Sequence, residues 1–173
     1  MDRIVNATDF WNGMVIPDYQ ESIGQVSNLR LAFHCAISLN HMADWIFHTH
    51  EQYVKANFTF VDAAGATVKV SSPTTFANAL EQIEPNFALV RGIANAAKHL
   101  KLSNIRSHPS APSNAENTSA RVLSWGQGGF GAGPWGGASR VMLAGPSGND
   151  TNFKNIADSV YSMWETLKTT HGW

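Results

Sequence analysis

Histidine and aspartate side chains follow one face of residues 29–48, a segment with the apolar spacing of an α-helix. On a helix that advances about 100° per residue, four of these side chains fall within roughly 80° of one another. They are His34, His41, Asp44 and His48. Imidazole and carboxylate groups bind metal ions and carry protons, so this face is a candidate site for chemistry or binding.

A second polar face lies on residues 91–99, within another segment of helical spacing. Its members are Arg91, Asn95, Lys98 and His99. Both helices are apolar enough elsewhere to pack on each other, and burying unmatched polar groups costs several kcal/mol. The two polar faces should therefore meet, with His41 or Asp44 close to Asn95, Lys98 or His99.

A metal site is one interpretation of the first face. Residues seven apart on a helix lie about 10.5 Å apart along its axis, so His34, His41 and His48 cannot share one ion, whose ligands lie about 2 Å from it. The set His41, Asp44 and His48 is different, because neighbours at i,i+3 and i,i+4 can converge. With His99 it would offer four ligands to a divalent metal such as zinc. The alternative is that these are structural histidines, each bonded to a backbone carbonyl or a carboxylate.

A second interpretation starts from residues 91–99, Arg91-Gly-Ile-Ala-Asn95-Ala-Ala-Lys98-His99. This segment resembles the active helix of the HEPN superfamily, all-helical domains in which an arginine and a histidine separated by four to six residues form a metal-independent ribonuclease site. The resemblance implies that Arg91 and His99 are catalytic, with Asn95 in place of the polar residue that such helices often carry. In that chemistry a histidine moves a proton, and cationic groups such as Arg91 and Lys98 stabilise the phosphate oxyanion. This chain departs from the family spacing, since seven residues separate Arg91 from His99.

Charge is unevenly distributed along the chain. Residues 1–84 hold four Lys/Arg against nine Asp/Glu, whereas residues 85–149 hold six against Glu116 alone. A basic segment of this kind permits an anionic partner, for which nucleic acid is the usual candidate. The alternative is that these charges complement the acidic first half, within one chain or across a dimer.

Composition indicates one globular domain over residues 1–173, with 43% hydrophobic and 14% charged residues. The single cysteine, Cys35, lies in an apolar run and is expected to be a buried thiol in a reducing compartment. The N-terminus has no signal-peptide pattern, and the most apolar window contains Arg30 and Asp44, which a membrane span would not. These features predict a cytoplasmic protein with no membrane partner.

The predicted fold class is α+β, mainly α: a helical bundle of about four to five helices with one or two small β-hairpins. A short turn near residues 8–11 should end at Gly13, and residues 17–53 form one long helix or two with a joint at Gly24. A helix over residues 75–83 should start at Ser72-Pro73 and be ended by Pro85. Further helices are expected over residues 86–102 and, capped by Asp150-Thr151-Asn152, over 151–170. The helical core spans about 17–103. Strands are expected over residues 58–62, 66–70, 121–125 and 139–143, and an exposed loop over 107–119.

A hairpin over residues 119–145 has an unusual tip, because seven of the twelve residues 126–137 are glycine. No Walker or Rossmann pattern is present, so a phosphate cradle is not favoured. Phe130 and Trp135 are expected to pack on a neighbouring surface or to stack on nucleic-acid bases. Together with Trp173, which is also expected to be exposed, they predict a homo-oligomer, a homodimer or larger. A non-catalytic interaction protein that uses this arm is therefore a third hypothesis, beside RNA binding and metal binding.

Overall fold

The computed structural model describes residues 3–98, 115–122, 139–144 and 150–173, except for the side chain of Lys98. These residues form seven α-helical segments and two small antiparallel sheets. The fold is thus α+β and mainly α, as the periodicity predicts. The number of helices exceeds the predicted four to five, because the described chain also contains a one-turn and a two-turn helix. None of the described helices is both long enough and apolar enough to cross a bilayer.

The first helical stretch is continuous from α1 (Ala7–Phe10) through a π-helix (Trp11–Val15) into α2 (Ile16–Gly24). The predicted end at Gly13 is therefore wrong. A glycine costs a helix only about 1 kcal/mol. The burial of Trp11 and Val15 on either side of Gly13 outweighs that cost.

The longest helix, α3 (Leu29–Thr49), lies at the centre of the described fold and contacts α1, α2, α5, α6 and α7. Residues 25–28 separate it from α2, which confirms the joint predicted at Gly24. The Asn28 side chain caps α3 by accepting a hydrogen bond from the backbone N–H of Leu31. A short helix, α4 (Glu51–Asn57), follows directly.

A two-stranded hairpin, β1 (Thr59–Val61) with β2 (Thr67–Lys69), confirms the first predicted hairpin. The outer edge of β1 is paired with a side chain. The N–H of Val61 donates to Gln82 Oε1 at 2.9 Å, and Gln82 Nε2 donates to the Val61 carbonyl at 2.6 Å. The Gln82 amide thus holds β1 against the next helix.

That helix, α5 (Pro73–Ile83), begins with a capping box between Ser72 and Thr75 and ends before Pro85, as predicted. Next, α6 (Asn86–Lys98) packs along α3. The last residues of the predicted helix 86–102 lie outside the described range.

The second sheet has the order β3 (Thr118–Val122), β4 (Ser139–Leu143), β5 (Thr151–Asn152). Strand β4 has its predicted bounds, but β3 begins three residues before the predicted start at 121, inside the expected loop. That loop also contains a turn of 3₁₀-helix (Ala115–Asn117). The glycine-rich tip, with Phe130 and Trp135, lies outside the described residues.

The last helix, α7 (Phe153–His171), begins at an Asn152 cap, as the sequence predicts. Its buried Trp164 donates from Nε1 to the Leu39 carbonyl at 3.1 Å, which ties α7 to α3.

Candidate functional site

A polar cleft of about 200 Å³ lies where α3, α5 and α6 meet. All three helices contribute polar side chains to this cleft. The small residues Ala43 and Ala77 in its lining let the helices pack closely. Its lining comprises Asn40, His41, Ala43 and Asp44 of α3, Pro73, Thr74 and Ala77 of α5, and Arg91 and Asn95 of α6. The structure therefore brings the two sequence-predicted polar faces together at one solvent-reachable place.

Helix geometry explains the α3 wall of the cleft. Leu39 and Met42 are fully buried in the core. Their neighbours at the cleft are half-buried His41 and exposed Asp44, which lie three residues apart on one face. His41 makes contacts of its own and is not an isolated group. His34 and His48 are also exposed, but they lie outside the lining of the cleft.

The α6 wall presents Arg91 and Asn95, four residues apart and both half-buried. These are two of the four residues predicted to be catalytic. The side chain of Lys98 and all of His99 lie outside the described residues. The structure therefore places half of the predicted catalytic set on the cleft.

Asn78 and Glu81, which are not among the sequence-predicted site residues, hold the Arg91 side chain in place. Its Nη1 atom donates to Glu81 Oε1 at 2.8 Å and to Asn78 Oδ1 at 3.1 Å. The Arg91 and Glu81 side chains are only 22% and 18% exposed, so this ion pair is largely shielded from solvent. Asn78 and Glu81 lie at i,i+3 spacing on the predicted helix 75–83, so the sequence indicates that they share one helix face. The sequence did not show which helix faces Arg91.

The metal interpretation is not supported by the described residues. Among residues 3–98, 115–122, 139–144 and 150–173, no three His, Cys, Asp or Glu side chains are grouped so that they could hold a metal ion. The proposed ligands His41, Asp44 and His48 therefore do not converge. The reason is geometric, because residues seven apart on one straight helix remain about 10.5 Å apart along its axis.

A second group of polar side chains, here called the inner polar cluster, lies between α2, α3 and α7. It comprises Asp18, Tyr19 and Ser22 of α2, Cys35 and Ser38 of α3, and Asp158 of α7. Ser38 donates from Oγ to Asp18, and Tyr19 donates from Oη to Asp158 Oδ1 at 2.9 Å. Lys154 also donates to Asp158, at 2.5 Å. The cluster was missed because its members are spread over three helices.

Burial raises the pKa of two members of the inner polar cluster, Cys35 and Tyr19. Burial, followed by the charge of the nearby Asp18 carboxylate, raises the pKa of the Cys35 thiol to about 12. Burial also raises the pKa of Tyr19, followed by the hydrogen bond to the Asp158 carboxylate. Cys35 is fully buried, which confirms the predicted buried thiol. Such a thiol stays protonated and unreactive at neutral pH.

Aromatic and histidine rings pack together where α3, α4 and α7 end. Trp173 stacks on His171 at 4.8 Å and on His50 at 5.9 Å between ring centroids, and Tyr53 Oη lies 2.9 Å from His171 Nδ1. Trp173 is therefore half-buried against its own chain. The expectation that it is exposed for self-association is wrong, because these neighbouring rings cover it.

Comparison with known proteins gives no match: neither a protein-family model, nor a curated protein, nor a solved structure is similar to this chain.

Proposed function

We propose that this protein binds single-stranded RNA at the polar cleft between α3, α5 and α6. The observation that carries the proposal is the meeting of Arg91 and Asn95 with His41 and Asp44 in one cleft. These side chains together offer a guanidinium, an amide, an imidazole and a carboxylate. RNA presents the complementary groups on its phosphates, riboses and base edges.

The lining supports contacts to a nucleotide. The Arg91 guanidinium suits a phosphate oxygen, because its planar array of donors matches phosphate geometry. Amides such as those of Asn40 and Asn95 both donate and accept, as base edges require. The Asp44 carboxylate accepts from exocyclic amines or a ribose 2′-OH.

The size of the cleft favours a single strand. Its volume of about 200 Å³ is large enough for one unstacked base and too small for a double helix. Sequence-specific RNA recognition commonly targets such unstacked bases in single strands, whereas duplex RNA is recognised across a wide, shallow groove.

Long-range attraction must come largely from outside the cleft, because Glu81 offsets the charge of Arg91. In the sequence, α6 is followed by a segment that includes His99, Lys101 and Arg106. Basic residues in this segment would raise the local concentration of an anionic strand. In the stronger form of the proposal, His99 and Arg91 also cleave the bound RNA.

Fluorescence anisotropy with a labelled single-stranded RNA tests the binding proposal. Replacement of Arg91 with Gln should weaken binding about tenfold, as expected for loss of a charge-assisted hydrogen bond. It should also reduce the slope of log K against log salt by about 0.7 if one phosphate contact is lost.

Arg30→Gln is the matched control. It removes the same charge from an exposed position on α3 that does not line the cleft. Equal effects of the two variants, or a wild type that binds duplex RNA as tightly as single strands, would contradict the proposal. Circular dichroism melting of each variant shows whether the fold is intact.

A further inference from the structure

Arg91 lines the cleft, and one end of its guanidinium is fixed to α5. Nη1 donates to both Glu81 Oε1 and Asn78 Oδ1, at 2.8 and 3.1 Å. Asn78 and Glu81 lie three residues apart, so one face of α5 supplies both acceptors. Neither residue lines the cleft, whereas Arg91 does. Their hydrogen-bonded link to a ligand there therefore runs through Arg91.

We propose that Glu81 and Asn78 are positioning residues that set the direction in which Arg91 presents its guanidinium to the ligand. The group is planar, so fixing one terminal nitrogen restricts the plane in which its other donors lie. An arginine ordered before binding loses less side-chain entropy when the ligand arrives. This inference rests on the proposed function, because it concerns how the same cleft binds RNA.

Glu81 has two opposite effects on an anionic ligand. Its negative charge weakens the attraction between Arg91 and phosphate, whereas its hydrogen bond orders the guanidinium. An ion pair that serves only to neutralise charge would have the first effect alone. Substitutions that separate charge from hydrogen bonding therefore distinguish a positioning residue from a neutralising one.

Two variants of Glu81 make this separation. Glu81→Gln removes the charge but keeps an oxygen that accepts from Nη1, so it should bind RNA at least as tightly as the wild type. Glu81→Ala removes the same charge and also the acceptor, and should bind about tenfold more weakly despite the added net positive charge. Equal affinities of the two variants would overturn the positioning role. Asn78→Ala should weaken binding less than Glu81→Ala, since Glu81 remains to hold Nη1.

A measurement without RNA keeps this test separate from the proposed function. The ¹⁵N relaxation of the arginine Nε–H groups reports side-chain order, and the Arg91 signal is the one missing from Arg91→Lys. Glu81→Ala should reduce the order of this group, Glu81→Gln should preserve it, and Arg30 should not change. Unchanged order in Glu81→Ala would overturn the inference even if RNA binds. If order falls as expected but the wild type binds no RNA, the proposed function fails and positioning of Arg91 stands for another ligand of the cleft.

Discussion

Helix α3 carries polar side chains on two faces whose centres lie about 120° apart around the helix axis, and the two faces have different surroundings. On the face toward α2 and α7, Cys35 and Ser38 belong to the inner polar cluster, where Ser38 is only 3% exposed and donates to Asp18. On the face toward α5 and α6, His41 and Asp44 line the polar cleft, where Asp44 is exposed. The same helix therefore presents one polar face to its own fold and the other to solvent.

The comparison shows that residue type alone does not mark a functional site. Serine, cysteine and aspartate in the inner polar cluster are the residue types of nucleophilic catalysis, yet their hydrogen bonds are made within the protein. Such bonds satisfy groups that burial would otherwise leave unpaired. The cleft combines charged and amide groups with a volume that a ligand can enter. Accessibility makes the cleft the better candidate site.

The largest expected difference between the polar cleft and the inner polar cluster is in their contribution to catalysis. If the protein cleaves RNA, His99→Ala should lower the rate about 10²–10⁴-fold, as is typical for loss of a general acid or base. The melting temperature should remain close to that of the wild type. Cleavage of a labelled single-stranded RNA measures the rate, and circular dichroism measures the melting temperature.

Asp18→Ala is the matched variant in the inner polar cluster. It should lower the melting temperature without lowering the rate at which the folded enzyme cleaves RNA. A melting temperature that falls in His99→Ala would instead identify a structural histidine. RNA left uncut by the wild type, with and without divalent metal, would exclude the ribonuclease hypothesis.

A second difference concerns the reactivity of Cys35. Because burial raises the pKa of its thiol from 9.0 to about 12, native protein should react with a thiol reagent at pH 8 at least about a hundredfold more slowly than denatured protein. The unfolded chain loses this proton above pH 9.0, whereas the folded chain keeps it until about pH 12. The stability that this shift contributes is therefore complete below pH 9.0 and is lost as the pH rises from there to about 12. Fast labelling of native protein at pH 8 would show that the inner polar cluster opens readily.

The smallest difference is in the free energy of unfolding. Asp18→Ala leaves the buried Ser38 hydroxyl without its acceptor and should cost about 1–3 kcal/mol. Asp44→Ala removes an exposed carboxylate from α3 and should change the free energy of unfolding by less than about 0.5 kcal/mol. Urea unfolding measures both values. Equal losses of unfolding free energy in the two variants would mean that the inner polar cluster and the polar cleft do not differ in this way.

Local signals predicted most of the fold. Each of four local signals predicted a helix or strand where the structure has it. They are the caps at Asn152 and Ser72, the helix end at Pro85 and the alternation around Phe60. Failures occurred where packing outweighed a local signal. Gly13 did not end its helix because buried neighbours stabilise it, and β3 began early because pairing with β4 decides its bounds.

The candidate site was predictable only in part, for a related reason. Periodicity placed His41 with Asp44 and Arg91 with Asn95, because these pairs share helix faces. It did not pair Arg91 with Glu81, since that contact depends on how α5 and α6 are arranged in space. Partners within one helix follow from spacing, whereas partners between helices follow from tertiary structure.

The pairing of Gln82 with Val61 has a consequence for behaviour at high concentration. An exposed strand edge is a template on which another chain can add a strand and begin to aggregate. By occupying both the N–H and the carbonyl of Val61, the Gln82 amide takes the place that such a strand would use. One glutamine on a helix thereby limits the growth of a two-stranded sheet beyond its own molecule.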